Sequence, residues 1–200
     1  MKIGIIGAGG FGREVYWSLS DEERKNTVFF VDDDYFDNTN SLILPLSQFK
    51  PEEYKVIIAI GNPNDRLKVV ERLPKETVYF THIHPSVQII SNDFEIGEGS
   101  IICAGTIITT NVKIGKHAHL NLHTTIGHDC VIGDYFTTAP GAKISGNCKI
   151  ANNVYVGTNS SVREKITICD NVTIGLNSGV VKDINENGVY VGLPVKKINK

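Results

Sequence analysis

The sequence predicts two units of different class: an α/β unit over residues 1–82, followed by a parallel β-helix over residues 83–200. Two observations lead to this prediction. Segments typical of strands and of helices alternate in the first eighty residues, which indicates a parallel sheet with helices packed on it. From Ile90 onwards an aliphatic residue recurs at every sixth position, which is the signature of a hexapeptide-repeat coil.

The α/β unit is predicted from hydrophobic runs separated by amphipathic segments. In chain order the candidate elements are the strand "KIGIIG", the helix "FGREVYWSLSDEER", the strands "TVFFVD" and "YKVIIAIG", the helix "NPNDRLKVVERL" and a possible fourth strand "TVYF". The second helix has either Asn62 or Asn64 as its N-cap, with Pro63 early in the first turn. About eighty residues make only half of a dinucleotide-binding fold, so this unit is predicted to be half-Rossmann-like.

The repeat is nearly unbroken. Every sixth position from 90 to 180 is Ile, Leu or Val in fifteen of sixteen cases, and Thr138 is the exception. Four residues after most of these positions stands a small or β-branched residue such as Ala118 or Cys130. Each six-residue unit forms one short strand and one turn, and three units close a coil of about eighteen residues. The large aliphatic residue and the small residue are both predicted to point into the coil.

Composition excludes several classes of protein. The formal net charge is −2, so there is no basic field for nucleic acid or for an anionic membrane surface. The apolar run Ile3 to Ile6 is too short for a signal peptide, and no later run has the length of a membrane span. A cytoplasmic location is expected. The four cysteines show no CxxC spacing, and Cys130 and Cys148 are predicted to be small buried thiols.

The order of the units, with "IGHDCVIGDY" inside the repeat and "GVYVGLPVKKI" near its end, resembles the NeuD/PglD-type bacterial sugar acyltransferases. Val195 replaces the alanine of that family's terminal motif, and the resemblance covers the whole chain. It implies a left-handed coil, an exception to the right-handed crossover rule. It also implies acetyl-CoA as donor and a nucleotide-linked amino sugar as acceptor. No metal is expected, and a homotrimer is expected because the flat sides of the coil repeat along one axis and the active groove needs a second wall from a neighbouring subunit. The sugar is expected to be a 4-amino-4,6-dideoxy hexose used for a surface glycan or glycoprotein.

His128 and Asp129 are the candidate catalytic pair. His128 follows the inward Ile126 by two residues, so it lies in a corner turn and points outward, in a trimer towards the groove between subunits. An amine must be neutral when it attacks a thioester, and a histidine is a suitable base near neutral pH. A carboxylate on the other ring nitrogen would fix the tautomer, and the resemblance gives this pair that role. The alternative is a solvated surface turn.

The predicted acetyl-CoA site lies along the coils next to this pair. Gly146 is one coil beyond His128, where a glycine lets a ligand approach the backbone and the N–H can stabilise an oxyanion. The resemblance assigns further contacts to Gly157, Thr158, Gly175 and Leu176. Thr137 stands where some relatives carry a second histidine, and it keeps a hydrogen-bond donor there.

The segment "GAGGFG" satisfies G-x-G-x-x-G after the first strand. Taken alone, this loop with Asp32 at the end of the second strand indicates a dehydrogenase, but the unit is too short for one. The loop N–H groups and helix dipole suit a diphosphate. The resemblance therefore places the nucleotide-sugar here, with its contacts from Gly9, Gly10, Phe11, Asp32, Asp33, Gly61 and Asn62. Some relatives have histidine at Phe11, and the alternatives are a tight turn without ligand and a solvated run of aspartates.

Three other functions fit parts of the pattern. One is O-acetylation of sialic acid or of another sugar. A second is a zinc hydratase of the γ-carbonic anhydrase type, whose two histidines five residues apart match His123 and His128, but whose third ligand would fall on Val87. The third is a non-catalytic scaffold that binds a nucleotide-sugar. An acylated Cys130 is not expected, because an inward side chain cannot reach substrate.

Overall fold

The chain folds as two compact units, the first spanning Met1–His82 and the second beginning at Ile83, in a computed structural model that describes residues 1–198. The first unit is a parallel sheet with helices and the second is a β-solenoid, so the predicted fold class is confirmed. Within residues 1–198, no helix has the length and apolar character needed to cross a membrane.

The elements of the first unit are β1 (Lys2–Ile6), α1 (Gly10–Ser18), α2 (Asp21–Lys25), β2 (Thr27–Val31), β3 (Ile43–Pro45), β4 (Tyr54–Ile58), α3 (Pro63–Arg72) and β5 (Val78–Tyr79). The five strands form a parallel sheet with strand order β3-β2-β1-β4-β5. Short 3-10 turns cover Asp33–Tyr35 and Leu46–Gln48. The carboxyl ends of the central strands β1, β2 and β4 therefore meet at one edge, where parallel sheets usually bind ligands.

Three details of this unit differ from the sequence prediction. The predicted first helix is two helices: α1 ends at Ser18 with Leu19 as its C-cap, and Ser20 starts α2 with a capping box to Glu23. Strand β3 was not predicted, since it has only three residues and ends at Pro45 on the sheet edge. Asn62, and not Asn64, caps α3: its Oδ1 accepts hydrogen bonds from the N–H groups of the second and third residues of the helix.

The second unit is built from short strands in three sheets, with strand orders β22-β19-β16-β13-β10-β7, β20-β17-β14-β11-β8 and β24-β23-β21-β18-β15-β12-β9-β6. The strands are β6 (His82–Ile83), β7 (Gln88–Ile89), β8 (Glu95–Ile96), β9 (Ile101–Ile102), β10 (Ile107–Ile108), β11 (Lys113–Ile114), β12 (His119–Leu120), β13 (Thr125–Ile126), β14 (Val131–Ile132), β15 (Thr137–Thr138), β16 (Lys143–Ile144), β17 (Lys149–Ile150), β18 (Tyr155–Val156), β19 (Ser161–Val162), β20 (Thr167–Ile168), β21 (Val172–Ile174), β22 (Gly179–Val180), β23 (Gly188–Val191) and β24 (Lys196–Ile198).

The coil length agrees with the repeat. Ile108 pairs with Ile126, and Ile126 pairs with Ile144, so each coil takes eighteen residues. These three side chains are at most 2% exposed, and they belong to one continuous core along the solenoid axis. Stacked aliphatic side chains thus hold successive coils together through burial of apolar surface.

The predicted inward position of Ile90 is wrong. Strand β7 pairs Ile89 with Ile108, a separation of nineteen residues, and Ile90 is 64% exposed. Because successive strand residues point to opposite faces, a shift of one residue turns Ile90 outward. The first coil is therefore one residue longer than the repeat predicts.

The one exception in the aliphatic series is compensated inside the core. Thr138 replaces a large residue, while Phe136, in a slot that other coils give to small or β-branched residues, is fully buried. The Thr138 hydroxyl is hydrogen-bonded to the Thr124 hydroxyl at 2.7 Å and accepts from the Asn121 N–H at 3.0 Å. A large side chain thus stands in the small slot and a small one in the large slot, and the buried hydroxyls of Thr124 and Thr138 are both paired.

The corner turns repeat with the same period as the strands. Every sixth residue from Gly99 to Asn177 has a positive φ near +50° to +75°, and most of these residues are Gly, Asn or Asp. Those residue types adopt the left-handed conformation at lowest cost. Asp129 is one of them, with φ of +59°, so the His128–Asp129 dipeptide forms a regular corner of the coil.

Candidate active site

His128 and Asp129 are hydrogen-bonded to one another in the corner that follows β13. The distance from His128 Nδ1 to Asp129 Oδ2 is 2.7 Å, and the two side chains are 57% and 44% exposed. An ionised carboxylate can only accept, so Nδ1 carries a proton, and in the neutral imidazole the lone pair is then on Nε2. The pair thus presents a histidine with a free basic nitrogen on the outer surface of the solenoid, which is the geometry of a general base.

Asp129 is held in its ionised form by two donors. Asn111, one coil earlier, donates from Nδ2 to Asp129 Oδ1 at 2.7 Å. This hydrogen bond, followed by the one from His128, lowers the pKa of Asp129 from its ordinary value. Asp129 therefore remains an acceptor for the imidazole at neutral pH.

Gly146 supports the His128 ring. A Cβ atom at this position would lie only 2.6 Å from His128 Nε2 and 2.7 Å from Cε1. Only glycine leaves room for the imidazole in its present position, so the ring lies against the backbone of the next coil. The sequence placed Gly146 beside His128, but for contact with a thioester rather than with the histidine itself.

The backbone N–H of Gly146 lacks the hydrogen bond that the equivalent N–H groups make in another corner of the solenoid. There, Asp134 Oδ1 accepts from Lys116 N at 2.7 Å, and Asn152 Oδ1 accepts from Asp134 N at 2.8 Å. Glu164 stands one coil beyond Gly146, and within residues 1–198 no protein acceptor is hydrogen-bonded to the Gly146 N–H. Gly146 is a buried residue against which the His128 ring lies, so within residues 1–198 this N–H has no protein acceptor but is largely covered in the single chain.

The other predicted acetyl-CoA residues divide into two groups. Gly157 and Gly175 are needed for packing, because a Cβ would lie 2.7 Å from Leu176 N in the first case and 2.7 Å from the Val191 side chain in the second. Thr158 and Leu176 are exposed, and Leu176 retains 70% of its accessible surface.

Thr137 differs from its predicted role. Its side chain is only 4% exposed, and its hydroxyl donates to the Tyr135 carbonyl oxygen at 3.4 Å. A cofactor contact needs an accessible hydroxyl, so the exposure of Thr137 does not match the prediction. The resemblance to relatives with a histidine here suggested the contact, but outward residues of this sheet, such as Ile101 and His119, are buried as well.

The glycine loop borders a cavity of about 320 Å³ at the carboxyl ends of the central strands. The cavity is lined by Ile6, Gly7, Ala8, Gly9, Phe30, Val31, Asp32, Tyr35, Leu46, Ile60 and Val69. Gly9 and Asp32 are thus brought together as predicted for a nucleotide site. Gly10 and Gly61 directly follow the lining residues Gly9 and Ile60 along the chain, whereas Phe11 is not next to a lining residue. Tyr35, which is 82% exposed, was not predicted.

The glycines of the loop serve different purposes. Gly7 has φ of +105°, and a Cβ at Gly12 would overlap the Gly7 carbonyl oxygen, so the fold requires both. A Cβ at Gly9, Gly10 or Gly61 would meet no atom within 4 Å. Packing does not demand glycine at these three positions, and the open space there suits a ligand that approaches the backbone.

The remaining polar residues of this predicted site have local partners. Asp32 forms an ion pair with Arg72 at 2.5 Å. Asp33 accepts from Ser47 N at 3.0 Å, and hydrogen bonds from Ser47 lower the pKa of its carboxyl. Asp33 lines a neighbouring cavity of about 480 Å³ rather than the one beside the glycine loop, and the Oδ1 of Asn62 is used to cap α3.

Within residues 1–198, no three His, Cys, Asp or Glu side chains are grouped as a metal-binding set. Cys130 and Cys148 are buried and free, as predicted. A hydrogen bond with Cys148, together with burial, raises the pKa of the Cys130 thiol.

Comparison with known proteins identifies the family. The PglD N-terminal domain family matches residues 2–73, and the hexapeptide repeat of succinyl-transferase matches residues 123–158. The chain is 33% identical over 153 residues to GDP-perosamine N-acetyltransferase of Escherichia coli O157:H7, covering 70% of this chain and 68% of that protein. The chain belongs to the PglD-type sugar N-acetyltransferases. It is therefore an acyltransferase, as predicted from the sequence.

Solved structures of PglD-type proteins have the same fold over nearly the whole chain. WeeI from Acinetobacter baumannii AYE is 33% identical, with a TM-score of 0.87 over 99% of this chain and 100% of that one. The acetyltransferase domain of PglB from Neisseria gonorrhoeae FA1090, in complex with acetyl coenzyme A, is 27% identical with a TM-score of 0.87 over 98% of both chains.

Proposed function

We propose that this acyltransferase transfers the acetyl group of acetyl-CoA to the amine of a nucleotide-linked sugar of the 4-amino-4,6-dideoxy hexose class, with His128 as general base. The observation that carries the proposal is the His128 ring, which is bonded to Asp129 through Nδ1 and rests on Gly146. The relatives support it, since one acts on GDP-perosamine and another is solved with acetyl coenzyme A. The product would serve surface glycan or glycoprotein biosynthesis, and a cytoplasmic site of action stays a prediction.

The reaction would be a direct attack. The amine nitrogen forms a bond to the thioester carbonyl carbon while His128 Nε2 takes a proton from the nitrogen. The carbon–sulfur bond then breaks, and the imidazolium returns its proton to the departing CoA sulfur. Asp129 stabilises the imidazolium through its hydrogen bond to Nδ1, and it does not accept the proton itself.

The Gly146 N–H is the candidate donor to the oxyanion. It has no acceptor within residues 1–198, and it belongs to the residue on which the His128 ring lies. A backbone donor that is already in place lowers the barrier because it does not reorganise as charge develops on the carbonyl oxygen. For the coenzyme itself, we propose contacts along the coils with the exposed Thr158 and Leu176, next to Gly157 and Gly175.

The nucleotide-sugar is proposed to bind at the glycine loop. The 320 Å³ cavity lies at the carboxyl ends of the central strands, and α1 begins at Gly10 with its N–H groups at the loop. A helix N-terminus favours a diphosphate. Asp32 is at the cavity wall, where a carboxylate suits the ribose or the base.

Gly10→Val should weaken nucleotide-sugar binding without harming the fold. No atom lies within 4 Å of a Cβ at Gly10, so valine is accommodated until a diphosphate has to approach the backbone. We expect the KM for the nucleotide-sugar to rise by about tenfold or more, while the dissociation constant for acetyl-CoA stays within about twofold of its wild-type value. Steady-state kinetics and calorimetry measure the two quantities, and Gly10→Ala should show a smaller effect. Weakened acetyl-CoA binding alone would show that the sites are assigned to the wrong units.

We propose a homotrimer, with His128 in a groove that a second subunit completes. His128 and Asp129 are 57% and 44% exposed in the single chain, so a further wall is needed to exclude water from the reacting groups. Light scattering coupled to gel filtration should give three times the mass of one chain. A stable monomer with full activity would contradict this proposal.

The proposed function is tested with a panel of nucleotide-linked 4-amino-4,6-dideoxy sugars and acetyl-CoA, read by mass spectrometry. One sugar should gain a single acetyl group that survives mild base, because an amide resists conditions that cleave an ester. A base-labile product would identify an O-acetyltransferase. Tight binding of the nucleotide-sugar without turnover would instead identify a non-catalytic scaffold.

A further inference from the structure

Polar side chains from three successive coils meet at the corner that carries His128. Asp93, Asn111 and Asp129 are spaced by eighteen residues along the chain. Asp93 Oδ1 accepts from the Asn111 N–H at 2.8 Å, and Asn111 Nδ2 donates to Asp129 Oδ1 at 2.7 Å. Asp129 Oδ2 in turn accepts from His128 Nδ1. The corner is therefore a continuous hydrogen-bonded row that ends at the imidazole.

The two oxygens of Asp129 have separate partners, and this separation determines where the carboxylate points. Asp129 is 44% exposed, so water competes for both of its oxygens. A short charge-assisted bond from Asn111 to Oδ1 stops the carboxylate from rotating and leaves Oδ2 directed at Nδ1. The same bond is the largest cause of the lowered pKa of Asp129.

We infer that Asn111 is a positioning residue for acetyl transfer: it orients Asp129, which keeps the His128 proton on Nδ1 and the lone pair on Nε2. The inference rests on the proposed function of His128 as the base. Asn111 touches neither the substrate amine nor the thioester in this scheme, and it acts only through the carboxylate.

Asparagine meets two requirements at this position. The backbone at Asn111 has φ of +51°, which asparagine tolerates better than most residues, and the side chain must donate a hydrogen bond. Aspartate would satisfy the first requirement but not the second. Asp93 supports the same turn, because it also accepts from the Thr110 hydroxyl at 3.1 Å.

A matched contact elsewhere in the solenoid provides the control. Asn153 Nδ2 donates to Asn171 Oδ1 at 3.3 Å across one coil, and both residues have the same positive φ as Asn111. That pair is part of a corner that does not carry His128. Loss of the Asn153 side chain therefore removes the same kind of Nδ2 donor from a corner turn, without touching Asp129.

The experiment compares Asn111→Gly with Asn153→Gly, since each change removes an asparagine that donates from Nδ2 across one coil, and glycine adopts a positive φ without strain. We expect kcat of the Asn111→Gly protein to fall by about tenfold while both KM values stay within about twofold. The control should keep its wild-type kcat. An unchanged kcat in Asn111→Gly, or an equal loss in the control, would overturn the inference.

The variant Asn111→Asp gives a pH dependence of kcat that a purely structural role of Asn111 would not produce. It puts a second carboxylate beside Asp129, so one of the two is more readily protonated as pH falls. A protonated Asp129 is a weaker acceptor for the Nδ1 proton of His128 and no longer stabilises the imidazolium. The loss of kcat should be larger at about pH 6 than at about pH 8, relative to wild type at each pH. A loss that is the same at both pH values would contradict the inference.

The failure of this inference can be told apart from failure of the proposed function. Nitrogen-15 NMR of the histidine rings reports the tautomer of His128 without any need for activity. In the wild-type protein the neutral ring should carry its proton on Nδ1, and in Asn111→Gly both tautomers should be populated. A wild-type tautomer in Asn111→Gly overturns only the role of Asn111, whereas a fully active His128→Ala protein overturns the proposed base.

Discussion

His128→Ala should lower kcat by about a hundredfold or more, the usual contribution of a general base, with acetyl-CoA affinity unchanged. The side chain is 57% exposed, so its removal costs little stability. Asp129→Asn should cost less, because this carboxylate orients the ring and does not itself take the proton. Single-turnover kinetics with saturating substrates measure the chemical step directly.

His123→Ala is the matched control for this experiment. The His123 ring also lies against a glycine of a neighbouring coil, since a Cβ at Gly105 would lie 2.5 Å from His123 Nδ1. It therefore reports the general effect of removing a corner imidazole, and its kcat should stay at the wild-type value. A wild-type rate in His128→Ala would mean that the amine loses its proton by another route.

Gly146→Val should lower kcat about as much as His128→Ala. A Cβ at Gly146 would lie 2.6 Å from His128 Nε2, so the imidazole has to leave its position before any substrate binds. The branched side chain also blocks the approach of a thioester to the Gly146 N–H, which should weaken acetyl-CoA binding as well. Kinetics of the variant, with its thermal unfolding as a check on the fold, measure these effects.

The double variant Gly146→Val with His128→Ala separates the two effects of the valine. If the loss in kcat of Gly146→Val comes from displacement of His128, the double variant should be no slower than His128→Ala alone. Losses that multiply would contradict displacement and would assign the effect to the oxyanion donor.

The period of the repeat explains why part of the site was predictable. An eighteen-residue coil puts residue 146 beside residue 128, and a turn two residues after an inward isoleucine has to lie at a corner. What the period does not reveal is the direction of a side chain in that corner. The contact between Gly146 and the ring, and the bond from Asn111 to Asp129, depend on rotamers that only the structure shows.

Errors in the sequence prediction arose where neighbouring residues fit the repeat equally well and where a contact lies outside the regular elements. Ile89 and Ile90 are both aliphatic, so one extra residue in the first coil left the repeat apparently intact, although it turned Ile90 outward. The glycine loop and Asp32 were predicted to lie together because strand order alone brings them to one edge. The contact between Asp33 and Ser47 could not be predicted in this way, because it joins segments fourteen residues apart in an irregular region.

The most direct measurement is the initial rate of acetyl transfer with the concentrations of acetyl-CoA and the nucleotide-sugar both varied. Direct attack requires both substrates to be bound together, so double-reciprocal plots should intersect, and the intersecting pattern should persist in the slow His128→Ala enzyme. Parallel lines would contradict direct attack and would require an acylated residue on the enzyme. Cys130 would then be the first residue to re-examine, although it is buried and the pKa of its thiol is raised.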